Sequence, residues 1–276
     1  MDLGILKGPL LLFGGPYSNL EATLAMHREA DRLGLAPEQV ICNGDLVAYC
    51  AQPEETIRAV REWGIHVLAG NCETALAQRS GDCGCGFEVG SACALLSDNW
   101  YPYTDASVSS ESRHWMGELP LAIRFKLGHQ EFQVVHGAPG SINRFVFAST
   151  PKPEKQVELD NAGTDIIIGG HCGIPFGQPQ KRGYWLNTGV IGMPANDGTP
   201  DGWYLLIEPG PTATRASWHR LEYDNRKSNR AMIDAGLANG YADALLSGLW
   251  PSMDILPDQE RALRGTPIAI SPLALD

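Results

Sequence analysis

The sequence predicts an α/β fold built around a parallel sheet. Three observations lead there: short apolar runs alternate with helical patterns through the first third, the runs end at glycine-containing loops, and the intervening helices carry their own start signals. Leu10–Phe13 reads as a buried strand. Ser18 and Glu21 have capping-box spacing and open a helix that carries Leu20, Leu24 and Leu33 and ends near Gly34. Val40–Cys42 is the next strand. Pro53 suits the first turn of a second helix, with Glu54 and Glu55 favoured near its positive end. Ile65–Leu68 completes a β-α-β-α-β series.

The middle of the chain changes character. Residues 81–86 (Gly-Asp-Cys-Gly-Cys-Gly) read as a loop, and Val89 to Leu119 holds two helical patterns without a convincing strand. Strands return at Ile123–Leu127, Phe132–Val135, Asp165–Ile168, Tyr184–Leu186 and Trp203–Ile207, the first two paired as a hairpin around Gly128. Ser228–Leu249 looks helical, and the Pro-rich chain beyond Trp250 is expected to wrap the surface. The expected organisation is a single domain over 1–276, with a cap or insert at about 80–119 and a helical tail over 228–276.

Composition narrows the function. The chain has 276 residues, 43% of them hydrophobic and 19% charged, which suits a well-buried core. A net charge of −11 disfavours general binding to nucleic acid or to an anionic membrane. A small phosphate compound remains possible, because a metal can supply local positive charge. The apolar run Leu10–Phe13 is far too short to span a bilayer. Seven cysteines, an odd number without a leader pattern, point to reduced thiols and a cytoplasmic location.

Five segments fall at the expected ends of strands: Gly14–Ala22, Gly44–Val47, Gly70–Glu73, Val135–Gly137 and Gly170–Gly173. Loops at the carboxyl ends of strands converge in open α/β sheets. They carry Asp45, Asn71, His136 and His171, each beside or near a glycine. A carboxylate, an amide oxygen and two imidazoles suit one divalent ion of intermediate softness: manganese, iron or zinc. Each residue also has a plainer role. Asp45 could cap a turn, Asn71 could be an ordinary loop residue, and either histidine could be a satisfied core group. Cys83, Cys85, Cys93, Cys72 and Cys172 could supply thiolates, but their spacing is not that of a zinc ribbon, and small buried thiols are the commoner case.

The order of these segments resembles the calcineurin-like metallophosphoesterases from Leu10 to about Pro194. That family reads Asp-x-His-Gly-Asn, Gly-Asp, Gly-Asn-His-Asp/Glu, His-Gly and Gly-His-x-His. The bacterial branch with Asn-Leu-Glu-Ala after the first motif is most similar, as in Asn19-Leu20-Glu21-Ala22. Gly44–Tyr49, Val135–Pro139, Ile174–Phe176 and Asn187–Gly192 also fit it. The resemblance implies a four-layer α/β/β/α sandwich and hydrolysis of phosphoesters assisted by two metals.

The departures divide the ligand set. Gly15 stands where the family has its first aspartate, Tyr17 where it has its first histidine, and Gly173 where it has its last. All the unshared ligands of one metal are therefore missing. The ligands of the other, carried over as Asp45, Asn71, His136 and His171, are complete. Cys72 occupies the position of the histidine that the family places beside the scissile phosphate. By resemblance Asp45, Asn71 and His136 are the catalytic group, and Tyr17, Asn19 and Cys72 are the contacts to a small phosphate-containing substrate or ligand. Glu73 is expected to orient a neighbour by hydrogen bonding. Two classes stay open: a hydrolase with a remodelled one-metal site, or with a second ion held by groups such as Cys72 and Cys172, and a non-catalytic protein that binds a phosphate ligand or a protein partner.

Overall fold

The computed structural model describes every residue except Phe87 and Val89. Val89, where the first helical pattern of the middle region was placed, therefore lies outside the described residues. The strands are β1 (Asp2–Leu6), β2 (Leu10–Phe13), β3 (Val40–Cys42), β4 (His66–Val67), β5 (Ala122–Leu127), β6 (Gln130–Val135), β7 (Ile166–Gly169), β8 (Phe176–Pro179), β9 (Tyr184–Asn187), β10 (Gly202–Glu208), β11 (Thr214–Leu221) and β12 (Leu273–Leu275). The helices are α1 (Leu20–Arg32), α2 (Pro53–Trp63), α3 (Asn71–Ala77), α4 (Ala92–Ser107), α5 (Ser110–Gly117), α6 (Lys152–Ala162), α7 (Asn225–Asp234), α8 (Gly240–Ser247) and α9 (Asp258–Arg261).

Two six-stranded mixed sheets form, ordered β1-β5-β6-β7-β9-β8 and β12-β11-β10-β2-β3-β4. Strand alternation decides what each face buries. Leu10, Leu12 and Ile41 from one sheet meet Phe125, Phe132, Ile166 and Ile168 from the other in a core between the sheets. Leu11 and Phe13 face the opposite way, onto α1 and α2 through Met26, Ile57 and Val60. Ile167 and Trp185 turn outward to Leu159 of α6. Strands buried on both faces explain the unbroken apolar runs Leu10–Phe13 and Ile166–Ile168. The result is helix on sheet on sheet on helix.

Residues 92–117 form α4 and α5, which add Trp100, Tyr101 and Met116 to the outer core beside α2. After α8 and α9 the chain ends in β12, antiparallel to β11, so the last residues close a sheet rather than lie loose. One capping assignment is corrected. The N-cap of α1 is Asn19, whose side chain accepts from the Ala22 amide, while the Ser18 hydroxyl accepts from the Ala48 amide and leaves the helix end. Among the described residues no helix is long and apolar enough to cross a membrane.

Candidate metal centre

Parallel pairing of β2 with β3, of β3 with β4 and of β6 with β7 brings the carboxyl ends of these strands to one edge of the molecule. Asp45 follows β3, Asn71 opens α3 after β4, His136 follows β6, and His171 lies in the loop after β7. The loops are tied together through backbone hydrogen bonds: Tyr17 N donates to Asp45 O at 3.1 Å, and Gly170 N to His136 O at 2.7 Å. Tyr17, Ser18, Asp45, Tyr49 and His171 all hold positive φ, between 49° and 59°. Such backbone strain in non-glycine residues gathers at sites that the surrounding fold must over-determine.

The four side chains meet. His136 Nδ1–H donates to the Asn43 carbonyl at 2.8 Å, which turns Nε2 inward. That Nε2 lies 3.0 Å from Asn71 Oδ1, 3.0 Å from His171 Nδ1 and 3.2 Å from Asp45 Oδ2. His171 Nδ1 is 4.0 Å from the same carboxylate oxygen. All four residues are buried. Four groups with lone pairs thus share one point, where His136 Nε2 and His171 Nδ1 can bring at most one proton each. A divalent cation fits that donor set. Asp45, His136 and His171 are also the one cluster of His, Cys and carboxylate groups among the described residues with metal-binding proximity, and it contains no thiol.

Electrostatics agree. Burial works against the Asp45 carboxylate, but the imidazoles of His136 and then His171 outweigh it and hold the carboxyl below its ordinary range. Burial also opposes charge on His136, yet Asp45 raises its proton affinity above the usual histidine value. Burial and the neighbouring His136 push His171 down to about 3, so it stays neutral. Asp45 and His136 thus favour each other's charged forms, beside a neutral His171 imidazole.

The supports behind these groups are specific. Glu73 is fully buried and accepts from four amides: Asp45 N at 2.7 Å, Leu46 N at 2.8 Å, Gly70 N at 2.8 Å and Val47 N at 3.4 Å. It clamps the Asp45 loop to the start of α3. Burial and the Asp45 charge push its carboxyl up to about 7 against those four donors. The Asn71 amide nitrogen donates to the Cys83 carbonyl at 2.8 Å and to Cys85 Sγ at 3.1 Å, which aims Oδ1 at the centre. No signal in the sequence marked that role for the Cys-Gly-Cys loop. Because Cys83 contributes its main chain, Cys83→Ser is expected to leave metal affinity unchanged. Cys85→Ala loosens the amide and is expected to weaken affinity about two- to tenfold, the worth of one modest hydrogen bond, as read by metal titration.

At two of the positions where the resemblance expects further ligands, the structure leaves no free space for a side chain. A Cβ at Gly15 would lie 2.7 Å from two ring carbons of Tyr17 and 2.6 Å from Val190 Cγ1. A Cβ at Gly173 would lie 3.1 and 3.3 Å from the indole of Trp250. Both glycines have positive φ, 51° and 74°, so a side chain there would be strained as well as crowded. Two aromatic rings stand where two ligands would project.

The remaining candidates separate. Tyr17 lines a cavity of about 60 Å3 that reaches Asp45 and His171. Asn19 does not line it: its amide donates to Gly192 O at 2.9 Å, and its oxygen caps α1 and accepts from Ser228 Oγ at 2.7 Å. Cys72 is buried beneath Asn71 and is also absent from the lining. Cys172 does line it, with Sγ accepting from Asn187 Nδ2 at 3.3 Å.

The calcineurin-like phosphoesterase family model matches residues 8–201. An uncharacterized protein of Methanocaldococcus jannaschii is 24% identical over 262 residues, covering 88% of this chain and 100% of that one. Among solved structures, a metallophosphoesterase from Sphaerobacter thermophilus shares the fold with a TM-score of 0.69 at 20% identity, covering 88% of this chain and all of the other. A hypothetical protein from Pyrococcus horikoshii does so with a TM-score of 0.72 at 17% identity, over 90% and 99% of the two chains. With its family model covering well over half of its length, this chain belongs to the calcineurin-like phosphoesterases.

Proposed function

We propose that the protein is a metal-dependent phosphoesterase that works through one divalent ion held by Asp45, Asn71, His136 and His171. The carrying observation is the convergence of these four acceptors on His136 Nε2 and its surroundings, while Tyr17 and Trp250 fill the space of the family's other ligands. A mixed set of one carboxylate oxygen, one amide oxygen and two imidazole nitrogens suits manganese, iron or zinc. When bound, such an ion supplies positive charge for the phosphoryl oxygens and acidifies water for attack on phosphorus. The protein's own part is positional. Asn43 fixes the His136 tautomer, Glu73 fixes the Asp45 loop, and the Cys83 carbonyl fixes Asn71.

Elemental analysis of the purified protein is expected to give one ion per chain; two per chain would overturn the reading. Affinity is expected to depend on pH with a defined sign. The Asp45 carboxylate raises the proton affinity of His136, and Nε2 must lose that proton before it can ligate. Affinity is therefore low in acid and rises with pH through a value above the ordinary histidine range, with about one proton released per ion bound. Titration calorimetry in two buffers of different ionisation enthalpy counts that proton.

The aromatic filling favours one other reading, binding of a phosphate ligand without turnover. Metal-loaded protein that binds phosphoesters and hydrolyses none of a broad panel would decide for it.

A further inference from the structure

Resting on the one-ion reading above, we infer that the cavity selects singly charged phosphoesters with apolar substituents, that is phosphodiesters, over doubly charged phosphomonoesters. Among the described residues, the cavity beside Asp45 and His171 has no lysine or arginine in its lining. Away from Asp45 and His171 its lining is largely aromatic or apolar, with Tyr17, Tyr49, Phe145, Tyr241 and Trp250 among it. Tyr49 and Tyr241 stack at 4.3 Å, and the Phe145 ring lies 4.1 Å from His171. The Trp250 indole N–H is spent on the Pro194 carbonyl, so its ring and not its donor is presented. Arg144, which precedes Phe145 in the chain, is paired with Glu154 and Glu158 at 2.6 and 2.7 Å.

The charge count follows. One divalent ion and the Asp45 carboxylate leave the centre with a single positive charge, since Asn71 and neutral imidazoles add none. Glu73, fully buried directly behind Asp45, can only reduce it. A phosphodiester carries one negative charge and balances the site. A phosphomonoester, with a second pKa near 6, carries close to two at pH 8. Its surplus charge would sit in an apolar cavity with no cationic side chain, and uncompensated charge is costly there. The second organic group of a diester, by contrast, has aromatic wall to cover.

The test uses metal-loaded full-length protein at pH 8 and three probes: phenyl phosphate, a dianion with one ring; methyl phenyl phosphate, a monoanion with one ring; and diphenyl phosphate, a monoanion with two. Titration calorimetry is expected to show methyl phenyl phosphate bound about tenfold or more tighter than phenyl phosphate, and diphenyl phosphate tighter still. The first comparison isolates charge, the second apolar area. Phenyl phosphate binding as tightly as methyl phenyl phosphate, or binding of none of the three, would overturn the inference. Turnover is read separately, with bis(4-nitrophenyl) phosphate and 4-nitrophenyl phosphate. If neither is hydrolysed while the binding order holds, the hydrolase reading fails and the selectivity stands. Hydrolysis of the monoester with the higher kcat/KM would overturn the selectivity and leave the hydrolase reading in place.

Discussion

Asp45→Asn is expected to remove metal binding and to lower phosphoester hydrolysis by about a thousandfold, the factor that a loss of ~4 kcal/mol of metal-centred stabilisation gives. Asparagine keeps the size of the side chain and tolerates the positive φ of 54° at this position, so the change is confined to charge. One oxygen of Asp45 faces both histidines, at 3.2 and 4.0 Å, and no other anion in the cluster can replace it. The same substitution leaves a mark in the metal-free protein. Asp45 is what holds the His136 proton, so the pKa of His136 is expected to fall in the variant, as NMR titration of its ring protons would show. Retained stoichiometric metal with near-normal turnover would mean that the centre lies elsewhere.

Glu73→Ala is expected to be the most destabilising single change near the site. It strands four buried amides, those of Asp45, Leu46, Val47 and Gly70, at the junction of two loops. Each unsatisfied buried donor costs ~1–3 kcal/mol, and removal of the costly burial of the carboxylate returns part of the total, so a net loss of about 3–5 kcal/mol is expected. At about 2 °C per kcal/mol for a chain of this size, the melting temperature should fall by roughly 6–10 °C. Glu73→Gln, which keeps one acceptor oxygen, should fall between the variant and the wild type. A melting temperature within 2 °C of wild type for Glu73→Ala would show that water replaces the clamp.

The parts of this protein legible in its sequence are those in which local pattern and tertiary role coincide. Leu10–Phe13 and Val40–Cys42 are strands because both faces are buried, and that burial is what makes them continuous apolar runs. The segment order that resembled a phosphoesterase survives because each ligand sits one to four residues beyond a strand end, where position in the chain fixes position in space. What escaped is non-local or weakly patterned. Strand β1 is interrupted by Gly4 and holds its place only by parallel pairing with β5, some 120 residues on. Helix α6 begins Lys152-Pro153 and buries only Lys155, Leu159 and Ala162, too few for an amphipathic stripe. The Ser18 assignment failed because two adjacent residues had capping chemistry and the chain used the second, leaving the first to bridge to Ala48. In the site, Tyr17 could be weighed as a space-filler from its motif position, but Trp250 lies 77 residues after Gly173, and nothing in the local sequence of either links them.

On the one-ion reading, the two rings over Gly15 and Gly173 also make a second ion hard to acquire step by step. A change that put an aspartate at position 15 alone would drive it into Tyr17 and Val190, and one that put a histidine at 173 alone would meet Trp250. Each first step back toward a binuclear centre costs packing and gains no ion, because a lone restored ligand cannot hold a metal by itself. Only a concerted exchange of both ligands and both rings would cross that barrier. The aromatic packing would thus act as a ratchet, under which single substitutions can remodel a one-ion pocket more readily than they can build a two-ion one.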